Sequence, residues 1–334
     1  MRKIVKQPRN ALIAVTYRCN SKCRMCNIWK KQIDTDTELR PENYKELPKN
    51  LDEVNITGGE PFLRDDLIEI LDTIFETSTP KKIVIPTNGF LTGRIITAAK
   101  EIQNRSYGNT VTIAISLDGI GDAHDGIRGV KGAYDMVIKT VKKLQKINFL
   151  NIGFGFTFIS GNEDEYEKVY DLSKKLNINF GVSYFHNSDN YFSNSEKDIS
   201  PDSKKIKRVL NKDINERIKS FSKNELGKCY YLHGLIYYIK NKKRLLPCDA
   251  LSGSFFLDPF GEIYPCNILN KSIGNLKGKS FNEIWQSQEA NNLRSLIKKC
   301  PTPCWMVCTA KPAIKKHWFR VGLWILISKI KRLI

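Results

Sequence analysis

A chain of 334 residues, 41% hydrophobic and 27% charged, has room for one large core or two modest domains, and its composition is that of an ordinary globular protein. Nine cysteines, an odd number in so long a chain, exclude a disulfide framework, and the only early apolar run, ALIAV, is too short for a secretory signal. The formal net charge of +19 asks for an anionic partner, and the thiols ask for metal in a cytoplasmic, reducing setting.

The first predicted strand, ALIAVT (11–16), runs into YRCNSKCRMCNIW, where Cys19, Cys23 and Cys26 stand at spacings of four and three. Zinc sites favour two-residue gaps followed by a second pair or by histidines, and none of the four histidines lies near this loop. A ferredoxin would supply a fourth thiolate close by. Three thiolates on one loop suit an iron–sulfur cube with one iron left for a ligand that is not protein. The second strand, EVNIT (53–57), is followed by Gly58, Gly59, Glu60 and Pro61, and adjacent glycines at a strand tip permit close backbone approach.

From about residue 10 to 187 the chain resembles the radical S-adenosylmethionine (SAM) superfamily. The resemblance rests on CxxxCxxC at 19–26, Met25 before the third cysteine, and GGEP at 58–61. Further strands are predicted at KIVIPT (82–87), TVTIAISLD (110–118), NIGFGFTFI (151–159) and INFGVSYF (178–185). Helical periodicity fills the gaps, as in 65–76 and 133–147, the latter ending before Asn148. Six such units imply a parallel α/β sheet with right-handed crossovers. They are too few for an eight-stranded barrel, and the resemblance implies a partial (β/α)6 TIM-like barrel. Chemistry in α/β barrels sits at the C-terminal strand ends. Thr87, Asn88, Ser116, Asp118, Asn162, His186 and Asn187 all fall there.

The resemblance further implies a [4Fe-4S] cluster held by Cys19, Cys23 and Cys26, with the amino and carboxylate groups of SAM on the fourth iron. One electron from a donor such as flavodoxin or ferredoxin would split SAM into methionine and a 5′-deoxyadenosyl radical. Gly58, Gly59 and Glu60 are expected to meet the amino group. Ser116 and Asp118 are candidates for ribose or methionine contacts, Arg128 for the carboxylate, and Met25 for the adenine. Pro61, Thr87, Asn88, Asn162 and Asn187 complete the cofactor-binding candidates.

The C-terminal half repeats the theme. Cys248 and Cys266 frame a CX12GX4C pattern around Gly261, in which DPFGEIYPC reads as a hairpin, and CPTPCWMVC adds Cys300, Cys304 and Cys308. This resembles the SPASM/twitch extensions that carry auxiliary iron–sulfur clusters, although the full pattern has more cysteines. Five thiolates suit one auxiliary [4Fe-4S] cluster, expected on Cys248, Cys266, Cys304 and either Cys300 or Cys308. A zinc ribbon is the alternative. Prolines 301 and 303 keep Cys300 off any helix, while Cys304 and Cys308 are expected on one helical face. Cys229 reads as a buried thiol.

Charge is uneven. Residues 1–202 carry 28 Lys and Arg against 27 Asp and Glu, and residues 203–334 carry 26 against 8. The tail KKHWFRVGLWILISKIKRLI reads as an amphipathic helix with Phe319, Leu323, Leu326, Ile330 and Leu333 on one face. It is too short to span a bilayer and suits the inner face of an anionic membrane. No nucleic-acid module is visible. The expected organisation is a barrel core at 1–190, a basic helical connector at 191–245, the auxiliary domain at 246–312 and the tail at 313–334.

The function expected is hydrogen abstraction from an unreactive carbon. A membrane-associated lipid or glycan is the leading substrate class, because strand one begins by residue 11 and leaves no room for an N-terminal peptide-recognition domain. A peptide or protein substrate is the alternative. The non-enzyme rival is an iron–sulfur electron carrier, for which a SAM pocket has no use.

Overall fold

The computed structural model describes residues 5–149 and 151–331. Nine strands form one sheet in the order β6-β5-β4-β3-β2-β1-β7-β8-β9. The first six are β1 (Asn10–Thr16), β2 (Glu53–Gly58), β3 (Lys82–Thr87), β4 (Val111–Ser116), β5 (Ile152–Phe158) and β6 (Asn179–Tyr184). They pair in parallel and in chain order. Their sequences are runs of Ile, Val and Phe because helices cover the sheet and bury the strands. The sheet curls without closing, as six strand–helix units require.

The crossover helices are α1 (Leu67–Ser78), α2 (Thr92–Gln103), the pair α3 (Asp122–Arg128) and α4 (Ala133–Lys146), and α5 (Glu165–Lys175). In α4, Ala133, Val137, Thr140, Val141 and Leu144 recur at three and four and face the sheet, with lysines opposite. The helix stops before Asn148, which takes the left-handed region at φ 56°. The first crossover differs from the expected pattern. Between β1 and β2 there is no α-helix, only short 3-10 turns, because the cysteine loop occupies that connection.

After β6 come α6 (Ser203–Arg217) and α7 (Lys223–Asn241), then β7 (Ser254–Leu257), β8 (Glu262–Tyr264) and β9 (Gly274–Asn275). The β7–β8 hairpin turns at Gly261, φ 96°, where a glycine is expected. β7 pairs in parallel with β1, Asn10 to Ile13 facing Ser254 to Leu257, so the cysteine-rich segment extends the core sheet. The chain continues through α8 (Phe281–Trp285), α9 (Gln288–Ile297), α10 (Val307–Lys316) and α11 (Trp318–Ile330).

Two expectations are corrected here. Cys304 and Cys308 do not share a helical face: α10 begins only at Val307, and Cys304 lies in the extended segment before it. The tail is not a helix with one apolar face. It divides at His317, and α11 is apolar on its buried side (Val321, Ile325) and on its exposed side (Phe319, Leu323, Leu326, Ile330). Leu333 lies outside the described residues.

Candidate active site

The cysteine loop is held from both sides by backbone bonds. Lys22 and Arg24 donate their N–H groups to the carbonyls of Arg128 and Ile127, each at 2.9 Å. On the other side Asn27 N–H donates to Phe192 O at 2.8 Å, and Asn194 Nδ2 donates to Met25 O at 2.8 Å. Gly129 (φ 65°) permits the first approach, since a Cβ there would sit 2.5 Å from Lys22 O. These bonds fix the loop between the end of α3 and the segment after β6.

Gly58 and Gly59 have a reason beyond ligand access. A Cβ on Gly58 would lie 2.1 Å from Thr16 O, and one on Gly59 2.1 Å from Arg18 O. Gly59 and Glu60 donate their N–H groups to those same carbonyls, each at 2.8 Å. The glycines let the β2 tip lie flush against the start of the cysteine loop. Glu60 is fully buried. Its carboxylate accepts from Asn88 N–H at 2.7 Å, Thr87 Oγ1 at 2.8 Å and Phe62 N–H at 3.2 Å, which locks β2 to β3. Burial nevertheless pushes its pKa up to about 7. Asn88 carries the chain of bonds on to Asn20 Oδ1 at 2.6 Å, back in the cysteine loop.

A cleft opens over these strand tips, with an empty volume of about 960 Å³ including its mouth. Its wall includes all three cysteines, Met25, Gly58, Gly59, Thr87, Asn88, Ser116 and Arg128. Five sequence candidates do not reach it. Glu60 and Pro61 are turned inward beneath the glycines. Asp118 is buried in an ion pair with Arg128 Nη2 at 2.6 Å. Asn162 spends its amide on Asp118 O and Thr157 O, and Asn187 on Asn194 O and Lys197 O. These groups position the wall without forming it. Sequence reasoning missed Tyr191, Phe192 and Met306, which also line it; Tyr191 donates its hydroxyl to Gly58 O at 2.9 Å and packs beside the cysteine loop. They occupy loops with no periodicity to mark them.

The three-cysteine loop fits an iron–sulfur cluster. Burial pushes the thiols of Cys19 and Cys26 up to about 12 and about 11, and Cys23 adds to both. Burial of this kind keeps Cys19 and Cys26 protonated unless a bound cation takes their charge, and coordinated thiols ionise outright. Arg128 adds a counter-charge, its Nη1 donating to Cys23 Sγ at 3.5 Å.

The second thiol group lies between α7, β7, β8 and the segment before α10. Burial pushes Cys308 up to about 12 and raises Cys248 and Cys266, and Cys304 adds in all three cases, so the four lie together. Cys266 and Cys308 line a small cavity of about 20 Å³, room for roughly one water, beside β1 and β7. Cys300 is half-buried in the turn before Pro301, 3.8 Å from Thr302 Oγ1, and its charge reaches Cys248 but not Cys266 or Cys308. Arg244 braces Cys304, with Nη1 2.7 Å from its carbonyl oxygen and 3.6 Å from its sulfur. Among the described residues no three Cys, His, Asp or Glu side chains converge as the ligands of one metal ion must. All nine cysteines are free of disulfides.

The two sites share a wall. Trp305, next to Cys304, is fully buried and donates Nε1–H to Tyr231 O at 2.9 Å. It fits because α7 has Gly234 beneath it, where a Cβ would sit 2.2 Å from the indole. The Trp305 backbone N–H meets His186 Nε2 at 3.3 Å, and Met306 enters the cleft. His186 Nε2 is thus the acceptor, and Nδ1 carries the proton given to Tyr184 O at 2.7 Å.

This geometry defines a class: a half-closed α/β barrel with an open three-thiolate site at one mouth and a second thiolate site fused to its sheet. Family models agree. Residues 13–173 match the radical SAM superfamily, and residues 248–309 match the SPASM iron–sulfur cluster-binding domain. The chain belongs to the radical SAM superfamily and carries a SPASM extension; it is an enzyme that uses SAM, a [4Fe-4S] cluster and auxiliary iron–sulfur chemistry. It is 26% identical to the antilisterial bacteriocin subtilosin biosynthesis protein AlbA of Bacillus subtilis, over 88% of this chain and 65% of AlbA. It is 24% identical to the Fe-coproporphyrin III synthase of Methanosarcina barkeri, over 91% of this chain and 77% of the synthase. Streptococcus suis SuiB bound to SAM shares the fold, with a TM-score of 0.65 at 16% identity over 87% of this chain and 68% of SuiB. The chain spans about two thirds of the length of AlbA.

Proposed function

We propose that this enzyme abstracts hydrogen from a carbon of a peptide substrate held in the cleft between the two thiolate sites. The observation that carries this reading is the shared wall: Cys19, Cys23 and Cys26 line one side of the cleft, and Met306 enters it from the segment that bears Cys304. When bound, the cluster and SAM supply a 5′-deoxyadenosyl radical. Cys19, Cys23 and Cys26 would hold the cluster, while Asn88, Ser116 and Arg128 would orient SAM. Tyr184, Phe185, Tyr191 and Phe192 add an aromatic flank, beside the polar Thr57, Thr157, Ser183 and His186, which suits a side chain delivered from a larger molecule. Cys248, Cys266, Cys304 and Cys308 would hold the auxiliary cluster within one loop of the substrate.

A peptide is preferred over the lipid or glycan that the basic tail suggested. AlbA serves bacteriocin biosynthesis, and SuiB has been solved with its precursor peptide SuiA. The heme-type relative keeps a tetrapyrrole as the second reading, because a chain with a formal charge of +19 suits its carboxylates. The test is anaerobic incubation of reconstituted enzyme with SAM, dithionite and short peptides encoded beside its gene. A peptide that raises 5′-deoxyadenosine formation and loses hydrogen by mass spectrometry supports the reading. Stimulation by coproporphyrin alone moves the assignment to tetrapyrroles, and no 5′-deoxyadenosine from fully iron-loaded protein returns it to the electron-carrier rival.

A further inference from the structure

α11 packs on α7 and presents apolar side chains in both directions. Inward, Val321 and Ile325 are buried, and Trp324 stacks on His233 at 4.6 Å and meets Tyr230 edge-on at 5.3 Å. Outward stand Phe319, Leu323, Leu326, Ile327 and Ile330, exposed by 44% to 91%. A surface helix ordinarily gives its outer face to charged and polar residues. Phe221, in the turn between α6 and α7, adds a ring that is 91% exposed, with Lys329 Nζ 4.2 Å from its centre. Together these side chains expose on the order of several hundred Å² of apolar surface, enough to mark an interaction site.

The charge around the patch says what covers it. By helical phase Arg320 and Lys331 flank one side of the outer face and Lys329 the other. Lys315 and Lys316, exposed at the end of α10, are paired with Glu53 and Asp249 and do not contribute to this border. From residue 290 onward the sequence has ten Lys and Arg and no Asp or Glu. A second copy would bring these cations face to face, so self-association is disfavoured. An apolar phase bordered by negative charge satisfies both the side chains and their flanks. Among the described residues no helix is long and apolar enough to cross a membrane, so a helix lying in the interface is the geometry left to it.

We propose that the outer face of α11, with Phe221, docks this enzyme on an anionic lipid bilayer. The proposal goes beyond the peptide reading and does not depend on it. The face carries no thiolate and lines neither cavity.

The test is flotation of the full-length, cluster-loaded enzyme with vesicles of phosphatidylcholine containing phosphatidylglycerol, and with phosphatidylcholine alone, beside sedimentation equilibrium without lipid. The expected result is a monomer that floats with the anionic vesicles, binds neutral ones at least about tenfold more weakly, and is released by high salt. Phe319→Ser/Leu323→Ser/Leu326→Ser should cut binding by a further factor of about ten or more. Its targets are solvent-exposed, and circular dichroism would verify its fold. Phe319→Trp should be quenched by brominated phosphatidylglycerol whether or not the triple variant folds. Recovery in the aqueous fraction, unchanged binding by a folded triple variant, absence of quenching, or a dimer that the triple variant splits would each overturn the proposal.

Discussion

His186 accepts a hydrogen bond from the Trp305 backbone through Nε2, at 3.3 Å, and so fastens the end of β6 to the segment that carries Cys304. The imidazole also lies flat on Tyr238 at 5.3 Å, and burial lowers its pKa to about 4. Three anchors hold it neutral at the junction of two redox sites.

His186→Gln is expected to cost about 1–3 kcal/mol of stability at pH 7.5, the usual range for a buried hydrogen bond lost with its stacking. The sign of its pH dependence follows from the lowered pKa. The folded state keeps His186 neutral while the unfolded state takes a proton below about 6.5, so its contribution is present above that pH and fades as pH falls toward 4. The gap between wild type and variant should therefore narrow by up to about 1.4 kcal/mol for each pH unit below 6.5. Denaturant melts of cluster-free protein at pH 7.5 and pH 5.5 measure it. Glu60 and Asp258, which burial moves the other way, are common to both proteins and cancel. A gap that stays constant contradicts the assignment.

Gly59→Ala is expected to disorganise the cysteine loop, because its Cβ would fall 2.1 Å from Arg18 O. A loss of roughly 2–4 kcal/mol and poor iron retention at the first site should follow. Gly155→Ala is the control, since nothing lies within 4 Å of a Cβ there. Iron content and thermal melts distinguish them, and equal behaviour of the two variants would argue against the packing reason given for Gly59.

Arg128→Leu is expected to cost about 3–5 kcal/mol, because it strands the buried Asp118 carboxylate. Adding Asp118→Asn should restore much of that loss, and the double-mutant cycle supplies the coupling energy. If the two losses simply add, the ion pair is not what holds the α3 end beneath Cys23.

Cys308→Ala is expected to remove the auxiliary cluster, and Cys300→Ala to leave it in place, because Cys308 lies close to both Cys304 and Cys248 whereas Cys300, equally half-buried, is near Cys248 alone. Mössbauer spectra of the two variants, each with Cys19, Cys23 and Cys26 intact, decide between them. Cluster loss in the Cys300 variant alone would reverse the ligand assignment.

The six core strands were legible because buried parallel strands read as continuous runs of β-branched and aromatic residues, as in VTIAIS and IGFGFTF. The cysteine spacing and the GGEP tip were legible because their chemistry tolerates few substitutes. Other features depend on contacts that local patterns do not encode. SFFL at 254–257 gives no hint that it pairs with Asn10 to Ile13. Asp118 and Asn162 looked like ligand groups from their place at strand ends, yet each is consumed by internal bonds. Met306 reaches the cleft only because Trp305 is seated over Gly234, a contact across 71 residues of chain.

The pairing of β7 with β1 makes the SPASM segment more than an appendage. Were the chain cut before residue 246, β1 would be left as a raw margin of unpaired amides with Phe255 and Phe256 gone from its flank, an invitation to aggregate. Evolutionary exchange of auxiliary modules in this architecture would therefore have to transplant a matching strand together with the thiolates.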